Sequence, residues 1–451
     1  MGSHELLRDL GLFDARAPRY TSYPPANHFG GGVGPAEVEG WLQAIPQGGR
    51  VSLYVHIPYC RRLCWFCACR TQGTSTDRPL IPYLAQIKAE LALVGRHLRP
   101  DVKVAAIHLG GGTPTILPPA MLAELCEALN TFRPLPEDVA FSVEIDPTEV
   151  DEPRLRALQA AGMTRASIGV QDFDPTVQDA IGRAQGYALT RDVVAMIRDT
   201  GVTSLNMDML YGLPHQTRAR MTDTVQKILS LSPDRLALYG YAHVPWMAKR
   251  QVMIPADALP GAEERLDLFE AAARMFVWDG YKEIGIDHFA RPGDPLAQAA
   301  QEGRMRRNFQ GYTEDGCDVL IGLGASAISR YPQGYAQNAS TSSAYAQAVR
   351  KGRLATERGH VMSADDTLRA DMIERLMCRF ELDLADISAQ HTIPMPDLLR
   401  ITAPIRHRFA DWIDAGGETL RLTRSPRLIA RLVAQEIDAY AMPEGRHSRA
   451  L

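Results

Sequence analysis

Short apolar runs recur through the first two-thirds of the chain, each closing on polar or glycine residues. They are VSLYVHIP (51–58), VAAIHLGGGTP (104–114), VAFSVEIDP (139–147), RASIGVQDF (165–173), SLNMDMLYGLP (204–214) and RLALYGYAHVP (235–245). Between them, segments such as LIPYLAQIKAELALVGRHL and PAMLAELCEALNTF carry apolar residues three and four apart, the helical spacing. Strands alternating with helices predict βα units, a parallel sheet and right-handed crossovers. Six such units predict an α/β fold built on an open or incomplete (β/α)6 barrel. In a barrel of this kind the loops after the strands gather on one face, where active sites are built. The six runs end there in a cysteine-rich loop, GGGTP, Glu144, Gln171–Asp172, Asp208 and His243.

From about residue 260 the pattern changes. GAEERLDLFEAAARMFVWDG reads as a helix, and DVLIGLGASAISRY as a strand or loop of small residues packed closely against a neighbour. SADDTLRADMIERLMCRF opens on Ser363 followed by acidic residues, a helix-capping signature, and the tail LIARLVAQEIDAYAM also reads as helical. The expected division is an N-terminal extension over the active site (1–45), a barrel domain (46–355) and a mostly helical C-terminal domain (356–451).

Composition adds exclusions. The 451 residues are 45% hydrophobic and 23% charged with a net charge of -4, ordinary for a globular chain. So neutral a balance predicts no nucleic-acid partner. No apolar run approaches the length of a membrane span, and the start lacks the apolar stretch of a signal peptide. A cytoplasmic location is expected. Seven cysteines in so long a chain make no disulfide framework, and a tight group of them predicts metal binding.

Four of the seven fall in HIPYCRRLCWFCACRT (56–71), as Cys60-x3-Cys64-x2-Cys67-x-Cys69. A structural zinc site ordinarily closes two separated knuckles around one ion, and no second knuckle exists here. Three thiolates at x3/x2 spacing suit three corners of a cubane [4Fe–4S] cluster, leaving one iron open for chemistry. On spacing, Cys60, Cys64 and Cys67 are the metal ligands and Cys69 stands outside the set.

This cysteine loop at the end of a first barrel strand, with GGGTP after the second, resembles the radical S-adenosylmethionine (SAM) enzymes. APRYTSYP, YVHIPYCRRLCWFCAC, LGGGTPT, VEIDP, GVQDFDPTVQ, MDMLYGLPHQT, GIDHFARPGDPLA, RNFQGYT and GASAIS, in that order, narrow the resemblance to the oxygen-independent coproporphyrinogen III oxidases. The likeness spans roughly 17–340, making 46–355 a radical SAM catalytic domain.

The resemblance implies an open iron chelated by SAM, whose reductive cleavage gives a 5′-deoxyadenosyl radical. It implies that Tyr54, Phe66, Gly111 and Glu144 contact this SAM. Gly112, Thr113, Gln171, Arg183, Asp208, Ala242 and Ile328 match positions that bind a second SAM. Cys69 and His56 are catalytic candidates, against the plainer readings of a small buried thiol and a satisfied core histidine. Glycines after a strand are otherwise a turn, and a strand-end aspartate is often a helix cap. Arg19, Arg183, Arg291, Arg306 and Arg307 are candidates for pairing substrate propionates, because guanidinium matches carboxylate bidentately.

The implied activity is oxidative decarboxylation of two propionates of coproporphyrinogen III to vinyl groups, giving protoporphyrinogen IX without O2. A low-potential donor of flavodoxin or ferredoxin type and a monomeric chain are expected. Two other readings remain: a haem-binding chaperone on the same scaffold, and a radical SAM tetrapyrrole methylase.

Overall fold

The six expected strands occur in chain order in the computed structural model, which describes residues 3–440. They are β1 (Arg50–Ile57), β2 (Lys103–Gly111), β3 (Ala140–Ile145), β4 (Arg165–Gln171), β5 (Ser204–Tyr211) and β6 (Arg235–Gly240), each paired in parallel with the next. A helix follows each: α1 (Leu80–His97), α2 (Pro119–Phe132), α3 (Glu152–Ala160), α4 (Tyr187–Asp199), α5 (Arg218–Ser230) and α6 (Ala262–Trp278).

The strands read as apolar runs, yet their side chains alternate between two faces. Leu53, Val55, Ile107, Leu109, Val143, Ile168, Met207 and Leu238 pack outward into one core with the helices. The intervening positions, Tyr54, His56, His108, Glu144, Ser167, Asp208 and Tyr239, share the opposite, inner face. The fold is therefore a wall that is apolar on its outer side and chemically equipped within.

Flanking strands widen the sheet to twelve. β7 (Lys282–Ile284) and β8 (His288–Ala290) add antiparallel beyond β6. On the other side β9 (Val319–Leu323) pairs in parallel with β1, followed by antiparallel β10 (Ile328–Tyr331), β11 (Gly334–Asn338) and β12 (Thr356–Val361). The sheet order, β12-β11-β10-β9-β1-β2-β3-β4-β5-β6-β8-β7, does not close on itself, so the barrel is incomplete. The sheet runs on through β12, past residue 355.

Below the strands, Arg235 pairs with Asp294 at 2.6 Å and with Glu314 at 2.9 Å, and Arg165 also binds Glu314. This buried network stops the N-terminal end of the barrel and leaves the other end for ligands.

α7 (Ala364–Arg379) starts as its sequence predicts: Ser363 Oγ accepts the Asp366 amide at 3.1 Å, and the Asp366 carboxylate accepts the Ser363 amide at 2.9 Å. α8 (Leu384–His391), α9 (Met395–Arg408), α10 (Pro426–Gln435) and a small three-stranded sheet complete the C-terminal region. The N-terminal segment joins this region, with Leu7, Leu12, Phe13, Tyr20 and Tyr23 in one core with Leu376, Met377, Ile429 and Val433. α10 stops at Gln435, short of the expected tail helix, whose last two residues lie outside the described residues. There Tyr20 donates to Asp438 at 3.0 Å and the Ala439 amide donates to Tyr23 at 2.9 Å, contacts that a continued helix would forfeit.

Candidate active site

The cysteine loop is tied down along its length. Tyr59–Cys60 pairs with Gln72–Gly73 at its base. The Trp65 amide donates to Ile181 O at 3.0 Å. From the segment after β6, Arg250 donates to Thr71 Oγ1 at 2.7 Å and Gln251 to Phe66 O at 2.7 Å. A loop so anchored holds its thiols in place before any ligand arrives.

Each thiol has its own electrostatic setting. Burial pushes Cys60 up to about 11, opposed by a hydrogen bond with Thr113, and Cys60 also feels the charges of Cys67 and Cys64. Cys67 is pulled down to about 6, first by the Cys69 thiol, whose backbone amide also donates at 3.4 Å. The same contact drives the Cys69 thiol upward. Cys64 Sγ accepts Arg183 Nη1 at 3.3 Å. Among the described residues no three Cys, His or carboxylate groups converge on a single-ion site. Three soft thiol donors grouped without that convergence fit a cubane, in which each thiolate binds a different iron.

Beside the loop lies a cradle that side chains would fill. Gly111 has φ +113°, and a Cβ there would sit 2.6 Å from His56 Nδ1. A Cβ on Gly112 would meet Tyr59 O at 2.6 Å. The Gly112 and Thr113 amides donate to Ile57 O at 2.8 Å and Tyr59 O at 2.9 Å, fastening the glycine turn to the root of the cysteine loop.

Sheet register brings the inner residues into rows. Tyr54 pairs with His108 and His56 with Gly110. The Tyr54 ring stacks on His108 at 5.7 Å, and its hydroxyl meets His56 Nδ1 at 2.9 Å. Burial holds His56 below the usual histidine range, favouring the neutral ring. Glu144 meets His108 Nε2 at 3.1 Å and accepts the Gly111 amide at 3.0 Å. Burial pushes its carboxyl up, but His108 and that amide together hold it below the ordinary value.

Arg183 donates to Gly169 O at 2.7 Å and lies 3.3 Å from Asp146, joining Cys64 to the ends of β3 and β4. Gln171 closes β4 with φ +69°. Asp208, pushed up to about 6 by burial, accepts Asn206 Nδ2 at 2.9 Å. Ala242 O and Phe66 O both accept from Gln251 Nε2, which links β6 to the cysteine loop. Ile328 starts β10 against Gly322, the register partner of Tyr54. The residues expected at the site thus occupy one end of the barrel.

The candidate arginines divide. Arg183 lies beside Cys64, and Arg19 and Arg307 line a cavity of about 60 Å³ with Tyr239 and Asp287. Arg291 stacks on Tyr281 and pairs with Asp279 at 2.7 Å, while Arg306 pairs with Asp318 at 2.9 Å, so both are engaged elsewhere. The sequence reading missed His108, Asp146 and Gln251, which bond Glu144, Arg183 and the cysteine loop. Only His108 had a local signal, two positions before Gly110 on the same strand face.

The Radical SAM superfamily model matches residues 54–228. The chain is 54% identical over 451 residues to the oxygen-independent coproporphyrinogen III oxidase of Paracoccus denitrificans, covering all of both chains. It is 53% identical to that of Cereibacter sphaeroides, over 96% of each chain. The solved coproporphyrinogen III oxidase from Escherichia coli, described as a radical SAM enzyme, superposes with a TM-score of 0.90 at 35% identity, over 94% of this chain and 98% of that one. Fold and cysteine loop therefore define a radical SAM protein, a class that carries a [4Fe–4S] cluster and SAM. Within that class the chain belongs to the family of oxygen-independent coproporphyrinogen III oxidases.

Among the described residues no helix is long and apolar enough to cross a membrane.

Proposed function

We propose that this chain converts coproporphyrinogen III to protoporphyrinogen IX without O2, turning two propionates into vinyl groups. Each conversion removes a hydrogen atom from the propionate carbon beside the ring, then releases CO2 and passes one electron to an external one-electron acceptor. The observation that carries the reading is the anchored x3/x2 thiol loop fastened to the glycine cradle, in a chain so similar throughout to relatives of that name.

Cys60, Cys64 and Cys67 hold the cluster in this reading, with Cys69 outside it. Tyr54, Phe66, Gly111 and Glu144 hold the first SAM. Gly112, Thr113, Gln171, Arg183, Asp208, Ala242 and Ile328 hold a second. When bound, the cluster and SAM supply a hydrogen-abstracting 5′-deoxyadenosyl radical. The protein's own tasks are to orient the propionate and exclude water. His56, neutral and fixed between Tyr54 and Arg70 O, offers a proton-holding site at the wall, and Cys69 a thiol beside the loop.

In this reading residues 1–45 are an extension over the active site, 46–355 the radical SAM catalytic domain and 356–451 a C-terminal helical domain. The chain acts as a cytoplasmic monomer fed by a low-potential donor of flavodoxin or ferredoxin type.

The test is anaerobic reconstitution with iron and sulfide, followed by assay with dithionite, SAM and coproporphyrinogen III. Protoporphyrinogen IX, CO2 and methionine are expected. Tight haem binding without turnover would favour the chaperone, and methylated product with S-adenosylhomocysteine the methylase.

A further inference from the structure

Between β6 and α6 the chain folds back onto the cysteine loop. Arg250 donates to Thr71 Oγ1 at 2.7 Å and to Thr71 O at 3.2 Å, and Gln251 Nε2 donates to Phe66 O at 2.7 Å. Ile254 packs in one small core with Val177, Ile181, Leu213 and Tyr241, and Trp65 and Phe66 of the loop rest against the same core. The segment is therefore fixed to the loop that carries the thiols.

Its outer side chains are apolar and stand in water. Trp246, Met247, Val252 and Met253 are 55%, 64%, 70% and 56% exposed. Single exposed apolar residues are ordinary, but four on one short segment form a patch, and a patch with a polar rim marks a contact surface. Around it the charge has one sign. Residues 56–76 and 243–256 include Arg61, Arg62, Arg70, Lys249 and Arg250 but no Asp or Glu, in a chain whose net charge is -4. Arg61 is answered by Asp77, and Arg62 bonds Ala184 O at 3.0 Å. Among the described residues Arg70, Lys249 and Arg250 have no carboxylate partner, and Arg250 Nη1 is buried without a hydrogen-bond partner.

We propose that this patch is the docking surface for the electron donor, a small low-potential one-electron carrier with an acidic face. This rests on the function proposed above and names where its reductant seats. Each SAM cleavage consumes one electron; on docking, the carrier is oxidised by one electron and the cluster reduced by one. Transfer falls steeply with distance, so the carrier must sit on structure that touches the thiol loop, and Gln251 reaches the residue before Cys67 through one hydrogen bond. An aromatic and methionine centre with arginines is the composition that protein interfaces favour, and rim charges of one sign steer a partner of the other. Redox encounters are small, below about 1,200 Å² in all, the scale of one such segment. A tetrapyrrole is also acidic and apolar, but a small ligand is enclosed by a concave site. Side chains more than half exposed project from the surface instead.

The test uses the reconstituted chain with SAM and two reductants, dithionite and an enzymatically reduced flavodoxin of net negative charge. Cluster reduction is followed by stopped-flow absorbance and SAM cleavage by 5′-deoxyadenosine. Lys249→Glu and Trp246→Ser alter exposed side chains of the patch; Lys103→Glu, exposed at the start of β2 and the closed end of the barrel, is the control. With flavodoxin, reduction should slow about tenfold or more in both patch variants, the scale on which steering sets encounter rates. Raising the ionic strength from about 0.01 M to about 0.15 M should slow the unaltered chain more than Lys249→Glu. With dithionite, 5′-deoxyadenosine yield should match the unaltered chain throughout, as should coproporphyrin III affinity, and Lys103→Glu should match it with both reductants. Flavodoxin-driven reduction within twofold of the unaltered chain in the patch variants overturns the surface. So does loss of coproporphyrin affinity, which assigns the patch to the substrate, or a dimer that Trp246→Ser dissolves, which assigns it to a second copy. An unaltered chain reduced by dithionite but by neither flavodoxin nor a [2Fe–2S] ferredoxin overturns it as well. In each of these cases dithionite still drives vinyl product and the proposed function stands; no vinyl product with dithionite removes that function and the surface with it.

Discussion

The backbone amide of Gly111 donates to Glu144 Oε2 at 3.0 Å, joining the glycine turn after β2 to the end of β3. The bond needs the turn in its φ +113° conformation, with His56 Nδ1 where a Cβ would fall. Gly111→Ala should therefore cost about 1–3 kcal/mol of stability and weaken SAM binding more than tenfold by calorimetry. Gly162→Ala is the control, since φ there is also positive, at +86°, but a Cβ meets nothing within 4 Å. It should lower the melting temperature and leave SAM affinity unchanged.

Arg183 brings a buried cation within 3.3 Å of Cys64 Sγ. Positive charge beside a ligand thiolate favours the reduced cluster. Arg183→Met should lower the cluster midpoint potential by roughly 60 mV, a tenfold effect for a one-electron couple, read by redox titration with EPR. Arg183→Lys, which keeps the charge, should recover most of the difference.

Asp208, raised to about 6 by burial, is proposed to meet the second, cationic SAM. Ionisation strengthens that contact, so affinity for the second equivalent should rise roughly tenfold between pH 5 and pH 7. Asp208→Asn should flatten the dependence in equilibrium dialysis.

At the closed end of the barrel, burial pushes the Glu314 carboxyl up, but Arg165 and Arg235 outweigh it and hold it down to about 2. A depressed carboxyl contributes stability that is full above its unfolded value near 4.5 and fades as pH falls toward 2. Glu314→Gln should cost about 3 kcal/mol at pH 7. Denaturant unfolding should show the gap between the two proteins narrowing at pH 3.

The barrel was legible because each strand packs Val, Leu, Ile or Met against helices, and that face dominates the local pattern. The inner face was less so, since Tyr54 and His108 read as ordinary members of apolar runs. β9 was legible as a strand or loop packed against a neighbour, but its partner was not, because VLIGL joins β1 from a distant part of the chain. Cys60, Cys64 and Cys67 were grouped by spacing alone, and the structure keeps them on one loop anchored at Trp65, Phe66 and Thr71. Asp146 and Gln251 were not singled out, because they meet Arg183 and Phe66 only through folding. The tail helix was overextended because Asp438 and Ala439 serve Tyr20 and Tyr23, partners at the other end of the chain.

The central claim is that three of the four clustered thiols hold a SAM-cleaving cluster. It is tested most directly by counting iron and 5′-deoxyadenosine in reconstituted, dithionite-reduced Cys67→Ala and Cys69→Ala side by side. The account predicts that Cys69→Ala keeps its cluster absorbance, about four irons and SAM cleavage, while Cys67→Ala loses all three. Loss of the cluster in Cys69→Ala, or SAM cleavage surviving in Cys67→Ala, would contradict it.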